Sequence, residues 1–138
     1  MRYDYLYVLG AACPATGQTV GLLAPQLNTT TVNTFFREFE KEVDPNVHVV
    51  MFWDQAGFHT ANELKVPANL TLIPLPPYSP ELNPIENLWH YLRAHHWSNR
   101  TYANYDELLD AATAAWRASC LNNELIKTVC NCTYLVQR

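Results

Sequence analysis

Asp54 is the first residue of this chain with a clear chemical use. It comes directly after the apolar run His48–Trp53, which has the length of a buried strand. Such a run is typical of a mainly parallel sheet, and α/β proteins place ligands at the carboxyl ends of these strands. A carboxylate there is costly to bury unless a positive charge compensates it. Hard divalent cations prefer oxygen ligands, so Asp54 is a candidate metal ligand.

Glu86 is the second such residue, and a proline-rich segment leads to it. Four prolines lie between positions 76 and 84, and each fixes its own φ and disfavours the α region for the residue before it. This rigid arm passes into a helix with Asn83 as predicted N-cap, Pro84 as first helical residue and Glu86 in the first turn. Asp54 and Glu86 together are candidate ligands of a divalent-metal site.

Glu86 also has a purely structural interpretation. Asn83-x-x-Glu86 has the spacing of a capping box, in which the Glu86 side chain accepts a hydrogen bond from the Asn83 backbone N–H. The spacing alone does not separate the two interpretations. The second carboxylate at a strand end, Asp54, favours the metal site.

The residues around both carboxylates resemble a known family. Asp54-Gln55-Ala56-Gly57-Phe58-His59 and the run Pro76–Trp89 are similar to the catalytic domain of DDE transposases. The resemblance is to the mariner-like superfamily, in its bacterial insertion-sequence branch. It extends from about Tyr5 to Trp116, and the proline-rich motif is its most specific part.

The resemblance implies a fold, a metal and a reaction. The fold is RNase H-like, and three acidic residues hold two Mg²⁺ or Mn²⁺ ions, with Asp54 as the second of the three and Glu86 as the third. The reaction is metal-dependent cleavage of DNA and transfer of a strand end into target DNA, by in-line displacement without a covalent enzyme intermediate. The implied partners are the transposon ends and the target DNA.

The first acidic residue of the family has no clear match. Only two strand-like runs, Tyr5–Ala12 and Thr19–Ala24, precede the first predicted helix, whereas the family has three strands there. We therefore expect the first central strand, its aspartate and the upstream DNA-binding region to be absent, with Asp4 as the only early acidic substitute. The expected fold is an α/β, RNase H-like layered fold, a mixed sheet flanked by helices, in one incomplete catalytic domain over residues 1–138. The isolated chain is expected to be inactive.

Three further polar residues are candidates near the site. His59 either contacts phosphate, orients a carboxylate or caps a helix. His90 and Arg93 lie one and two turns beyond Glu86 on the same predicted helical face. That face either meets the DNA backbone or is a solvated surface with an i,i+4 pair.

Composition limits the class of protein. A chain of 138 residues with 49% hydrophobic and 16% charged residues is globular. A net charge of −4 is unlike a stand-alone DNA-binding domain, where a basic face supplies most of the affinity. No membrane span or signal segment is visible, so we expect a bacterial cytoplasmic protein that joins the nucleoid when bound to DNA. The four cysteines lack zinc-site spacing and are expected to be free thiols: Cys13, Cys120, Cys130 and Cys132.

The remaining sequence predicts scaffold in the order ββαβαβααα. An apolar stripe at helical spacing predicts the first helix, capped at Thr30 or Thr31. The other predicted elements are a strand over Asn69–Leu75, a helix from Glu86 through Leu92, a helix that opens at Asn104 and a last helix over Leu121–Val136.

Two other functions stay open. One is a different RNase H-like nuclease, such as a resolvase or a ribonuclease H. The other is a non-enzymatic remnant that associates with itself or with an intact transposase. An absent central strand would leave backbone groups of Tyr5–Ala12 and His48–Trp53 unpaired. We therefore expect either direct pairing of these two runs or a homodimer that covers the gap, and we favour the homodimer.

Overall fold

The computed structural model describes residues 6–54, 63–76, 82–97 and 102–131. The predicted mixed α/β class is confirmed, and the elements are consistent with an RNase H-like fold. The elements are β1 (Tyr7–Ala12), β2 (Thr19–Ala24), α1 (Thr29–Glu42), β3 (Val49–Trp53), β4 (Leu70–Pro74), α2 (Ile85–Leu92), a five-residue π-helical turn (Arg93–Trp97), α3 (Tyr105–Cys120) and α4 (Asn123–Val129). The helix predicted between β3 and β4 falls mainly on residues outside the described ranges.

The described strands form two separate two-stranded sheets. β1 and β2 are neighbours, and the Cys13 N–H donates to the Gln18 carbonyl at 2.9 Å across their turn. β3 and β4 pair in parallel, from Val49 with Leu70 to Trp53 with Pro74. Direct pairing of β1 with β3, one of the two predicted ways to close the gap, is therefore not found among the described residues.

Helix α1 covers one face of β3. The N-cap is Asn28, whose side-chain oxygen accepts from the Thr31 N–H at 2.9 Å, so the predicted cap at Thr30 or Thr31 is wrong. The Thr31 hydroxyl instead donates to the Gln26 carbonyl. The predicted apolar stripe of α1 is buried from Val32 to Phe39, and its last member, Val43, is the half-buried C-cap. The Phe36 ring lies 6.4 Å from the Trp53 ring, centroid to centroid.

The other face of β3 is open. Val50 is 52% exposed and Phe52 is 43% exposed, whereas Val49, Met51 and Trp53 between them are partly buried. The sequence predicted a buried strand, and that prediction is wrong for the face that carries Val50 and Phe52. A run of five apolar residues does not show whether a second layer exists to cover it.

Contacts within the chain divide it into two compact units. The sheet unit comprises Tyr5–Gly10 and Val20–Asn83 and contains α1, β3 and β4. The helical unit comprises Met1–Asp4, Ala11–Thr19 and Pro84–Arg138, and α2, α3 and α4 build its core. Fully buried members of that core include Leu88, Leu92, Cys120, Ile126 and Cys130.

Two helices of the helical unit, α3 and α4, begin at asparagine caps. Asn104 caps α3 as predicted, with its side chain accepting from the Glu107 N–H at 2.9 Å. Asn122 caps α4 in the same way. The prediction that the last helix continues to Val136 is wrong, because α4 ends at Val129 with Cys130 as its C-cap.

The turn of the β1–β2 hairpin packs tightly within the helical unit. Gly17 has a φ of +78°, and a Cβ atom there would collide with the backbone of Asn123 at the start of α4. The Thr19 hydroxyl donates to the Cys120 carbonyl at 2.8 Å. Glycine is required at position 17 both for its conformation and for the space.

Cys13, Cys120 and Cys130 are free thiols, as predicted, and their surroundings differ, whereas Cys132 lies outside the described residues. Partial burial acts to raise the pKa of Cys13, but hydrogen bonds from the Thr16 side chain and from the Thr16 and Ala15 backbone outweigh it and lower that pKa. Burial, with Cys130 nearby, raises the pKa of Cys120 to about 12. The thiolate is the reactive form, so the lowered pKa favours reaction at Cys13 over Cys120.

We expect Phe36→Ala to lower the free energy of unfolding by about 3–5 kcal/mol, because a fully buried ring leaves a cavity beneath β3. Urea denaturation followed by circular dichroism measures the loss. Phe52→Ala is the matched control and should cost far less, since that ring is already 43% exposed. Equal losses for the two variants would contradict the burial pattern of β3.

We expect iodoacetamide at mildly alkaline pH to modify Cys13 in the folded chain and to spare Cys120 until urea unfolds it. The lowered pKa and exposure of Cys13 and the raised pKa and burial of Cys120 both act in this direction. Peptide mass spectrometry assigns the label to each residue, and the Cys13 peptide should be labelled well before the Cys120 peptide. Rapid labelling of Cys120 in the folded chain would show that its burial is wrong.

Candidate metal and nucleic-acid site

Asp54 lies immediately beyond the last hydrogen bond of the parallel β3–β4 pair. The Leu75 N–H donates to the Trp53 carbonyl at 2.9 Å, which closes the ladder one residue before Asp54. Asp54 is exposed, and the alternation of side chains puts it on the face opposite to Trp53, away from Phe36. The predicted position at the carboxyl end of a parallel strand is therefore what the structure has.

Glu86 lies in the first turn of α2, as predicted, and is half-buried. The residues that flank it, Ile85 and Leu88, are 9% and 0% exposed and fix the rotation of the helix about its axis. An acidic residue in the first turn of a helix interacts favourably with the backbone N–H groups there.

The start of α2 differs from the prediction by one residue. The N-cap is Pro84 and the first helical residue is Ile85, so the predicted N-cap Asn83 lies outside the helix. The Asn87 N–H donates to the Pro84 carbonyl at 3.1 Å at this start of the helix. No described residue is hydrogen-bonded or ion-paired to the Glu86 carboxylate, so the capping-box interpretation does not hold.

His90 and Arg93 are both exposed on the elements that follow Glu86. His90 lies one helical turn beyond Glu86 within α2, and Arg93 begins the π-helical turn. No ion pair joins Glu86 to His90 in the described part of the chain, so the alternative of an i,i+4 pair is not found. His59, the remaining candidate, lies outside the described residues.

The π-helical turn itself was not predicted. Its His95 ring stacks on Tyr91 with 4.3 Å between centroids, and the His96 Nε2 lies 3.1 Å from the Ser119 hydroxyl. These contacts hold the turn against α2 and α3 while Arg93 and His95 stay exposed. Tyr91 and His95 are four residues apart, a spacing that sequence reasoning could have used, but it is equally compatible with an ordinary α-helix.

The described carboxylates do not assemble a complete metal site. Asp54 belongs to the sheet unit and Glu86 to the helical unit. Among the described residues there is no group of three histidine, cysteine, aspartate or glutamate side chains able to hold a metal ion. None of the helices in that same part of the chain combines the length and apolar composition needed to cross a lipid bilayer.

Comparison with known proteins identifies the family. Residues 1–109 match the DDE superfamily endonucleases, and the chain belongs to that family. It is also similar to the uncharacterized protein y4pE/y4sA of Sinorhizobium fredii (strain NBRC 101917 / NGR234), with 43% identity over 112 residues, 81% of this chain and 83% of the relative. No solved structure matches the chain. The resemblance deduced from the Asp54 and Glu86 motifs is thus confirmed at the level of the superfamily.

We expect Fe²⁺, used in place of Mg²⁺ with ascorbate and peroxide, to cut the backbone near both Asp54 and Glu86. Hydroxyl radicals form at the bound ion and cut only nearby peptide bonds, so two cuts that disappear together when one carboxylate is replaced would indicate one shared ion. Mass spectrometry of the fragments locates the cuts.

Asp54→Asn should remove both cuts, because loss of one oxygen ligand weakens the whole site. Glu40→Gln is the matched control, since Glu40 is an exposed carboxylate on α1, and it should leave the cuts unchanged. Cutting near only one of the two carboxylates would show that they do not share an ion.

Proposed function

We propose that this chain carries the aspartate and the glutamate of a transposase active site, which cleaves DNA phosphodiester bonds and transfers the strand ends within a bacterial insertion sequence. The observation that carries the proposal is the family match over residues 1–109, which includes both Asp54 and Glu86. The mariner-like branch is supported by the proline-rich motif that ends in Asn83-Pro84-Ile85-Glu86.

The proposed cofactor is Mg²⁺ or Mn²⁺, two ions in a complete site. The donor chemistry fits, because both candidate ligands are carboxylates and hard divalent ions prefer oxygen. The donor number is lower than a complete site needs, since the described residues contain no group of three ligands. When bound, such ions stabilise the attacking and the leaving oxygens of an in-line displacement at phosphorus.

The proposed work of the protein is to hold the two carboxylates. Asp54 is held by the β3–β4 ladder, whose last hydrogen bond lies at Trp53. Glu86 is held by α2, whose buried Leu88 and Leu92 are both 0% exposed. A rigid strand end and a packed helix start keep the carboxylate oxygens in place without reorganisation during the reaction.

His90 and Arg93 are proposed contacts to the DNA backbone. Both are exposed and lie on consecutive turns after Glu86. Contacts between cationic side chains and phosphates give affinity that does not depend on sequence. With a net charge of −4 the chain supplies little of this affinity by itself, so we propose that DNA is held mainly by other parts of a larger assembly. DNA as substrate implies the bacterial cytoplasm as the place of action.

A second candidate function is a non-enzymatic one, in which residues 1–138 form a homodimer or bind an intact transposase. Two observations favour it: no three-ligand group exists among the described residues, and β3 leaves an apolar face exposed. The family match gives no such support to a resolvase or a ribonuclease H.

We expect the purified chain not to nick supercoiled plasmid DNA in Mg²⁺ or Mn²⁺, because two carboxylates leave at least one ion under-coordinated. Gel electrophoresis of the relaxed product measures nicking, and the wild-type chain should be indistinguishable from Glu86→Gln. Strong Mg²⁺-dependent nicking that Glu86→Gln abolishes would contradict this expectation. It would also make Asp4 the first candidate for a third ligand.

A further inference from the structure

One edge of β3 has no partner strand among the described residues. The Val49 N–H donates to the Asn69 carbonyl at 2.8 Å, and the Leu75 N–H donates to the Trp53 carbonyl at 2.9 Å. Residues 49 and 53 therefore turn their backbone groups toward β4. Successive residues of a strand turn these groups to opposite sides, so the N–H and C=O groups of Val50 and Phe52 face away from β4.

The same two residues also carry the exposed apolar face. In the β3–β4 register, Val50 lies beside Thr71 and Phe52 lies beside Ile73. Val50, Phe52 and Ile73 are 52%, 43% and 38% exposed. The open edge and the open face thus coincide on a single strand of the sheet unit.

β3 has none of the features that normally protect an edge. Natural edge strands carry lysine, proline or a bulge that blocks pairing with another strand. Val49–Trp53 contains no charge, no proline and no glycine. Parallel sheets are normally covered by other elements on both faces. A sheet of only two strands is marginally stable by itself. The physical expectation is that another strand adds to β3.

We propose that β3 pairs in antiparallel fashion with β3 of a second copy of this chain, around a two-fold axis at Met51. Val50 then lies opposite Phe52 of the second copy, and their outward backbone groups form the hydrogen-bonded pairs. His48 lies opposite Asp54 of the second copy. The result is a four-stranded sheet, β4-β3-β3-β4, with one continuous apolar face.

Self-complementarity selects a second copy and fixes this register. A two-fold interface requires that one surface match itself. The exposed side chains along β3 and its two ends are, in order, His48, Val50, Phe52 and Asp54. In the Met51-centred register, the aromatic Phe52 faces the β-branched Val50 and the His48 imidazole faces the Asp54 carboxylate. Both are favourable cross-strand pairs. The His48 Nε2 is engaged by the Thr71 hydroxyl at 2.7 Å, so its Nδ1 is the nitrogen that meets the carboxylate.

Neighbouring registers are worse. A shift that centres the axis on Phe52 puts Asp54 opposite Val50, which desolvates a carboxylate beside an apolar side chain. A shift that centres it on Val50 puts Asp54 opposite Asn46 and Phe52 opposite His48. A shift by one residue turns the exposed set to the other face. The interface uses only the sheet unit and needs neither metal nor DNA to form, although it engages the candidate ligand Asp54.

Sedimentation velocity from low to high micromolar concentration tests the proposal, without metal or DNA, so that its failure is distinct from failure of the proposed function. We expect a monomer–dimer equilibrium. Val50→Lys should raise the dissociation constant by about tenfold or more, because it places a charge on the pairing edge. Val66→Lys is the matched control, a valine 40% exposed outside β3, and should leave the equilibrium unchanged.

A charge exchange tests the register. His48→Glu should weaken the dimer, because glutamate then faces Asp54 of the second copy, and adding Asp54→Lys in the same chain should restore it. His48→Glu and the double variant also test the dimer if circular dichroism shows that Val50→Lys does not fold. A monomer at high micromolar concentration, a dimer indifferent to Val50→Lys, or a double variant that stays as weak as His48→Glu would each overturn the proposal.

Discussion

The packing of the α1 aromatic stripe on β3 determines most of what the sheet unit does. Phe36 and Trp53 pack ring to ring, 6.4 Å between centroids, and Phe36 is only 1% exposed. Once Trp53 faces α1, alternation along the strand turns Val50, Phe52 and Asp54 to the opposite side. The exposure of the candidate metal ligand and the exposure of the apolar face therefore have the same cause.

In the helical unit, packing against the other helices stabilises the short helix α2. α2 has eight residues and would be marginal in isolation, since short helices owe their stability to tertiary packing. Leu88 and Leu92 bury its inner side, and the Trp89 ring lies 6.2 Å from Trp116 of α3. The π-helical turn extends α2 and leaves Arg93 exposed. Glu86 is thereby presented by a helix whose rotation is fixed from the side opposite to the carboxylate.

Membership of the DDE superfamily predicts a divalent-metal site, and the chemistry of the two candidate ligands is compatible with one. The number of ligands among the described residues is smaller than a complete site needs. Both candidate ligands are carboxylates on rigid elements, as divalent-metal chemistry requires. The described residues nevertheless hold no group of three ligands. The same strand that carries Asp54 also has an open edge. The proposed metal binding and the proposed strand addition thus involve neighbouring residues, and a partner at the β3 edge would change the surroundings of Asp54.

The sequence by itself determined the family, the α/β class, the strand before Asp54, the first-turn position of Glu86 and the Asn104 cap. These follow from local rules: apolar periodicity, proline and asparagine chemistry, and a motif of unusual composition. Only the tertiary structure decided that one face of β3 is uncovered, since an apolar pentapeptide has the same sequence whether one layer or two pack on it. It also decided that Asn28 caps α1, that α4 ends at Val129 and that Glu86 forms no capping box. Several residues can make each of these hydrogen bonds locally, and long-range packing selects among them.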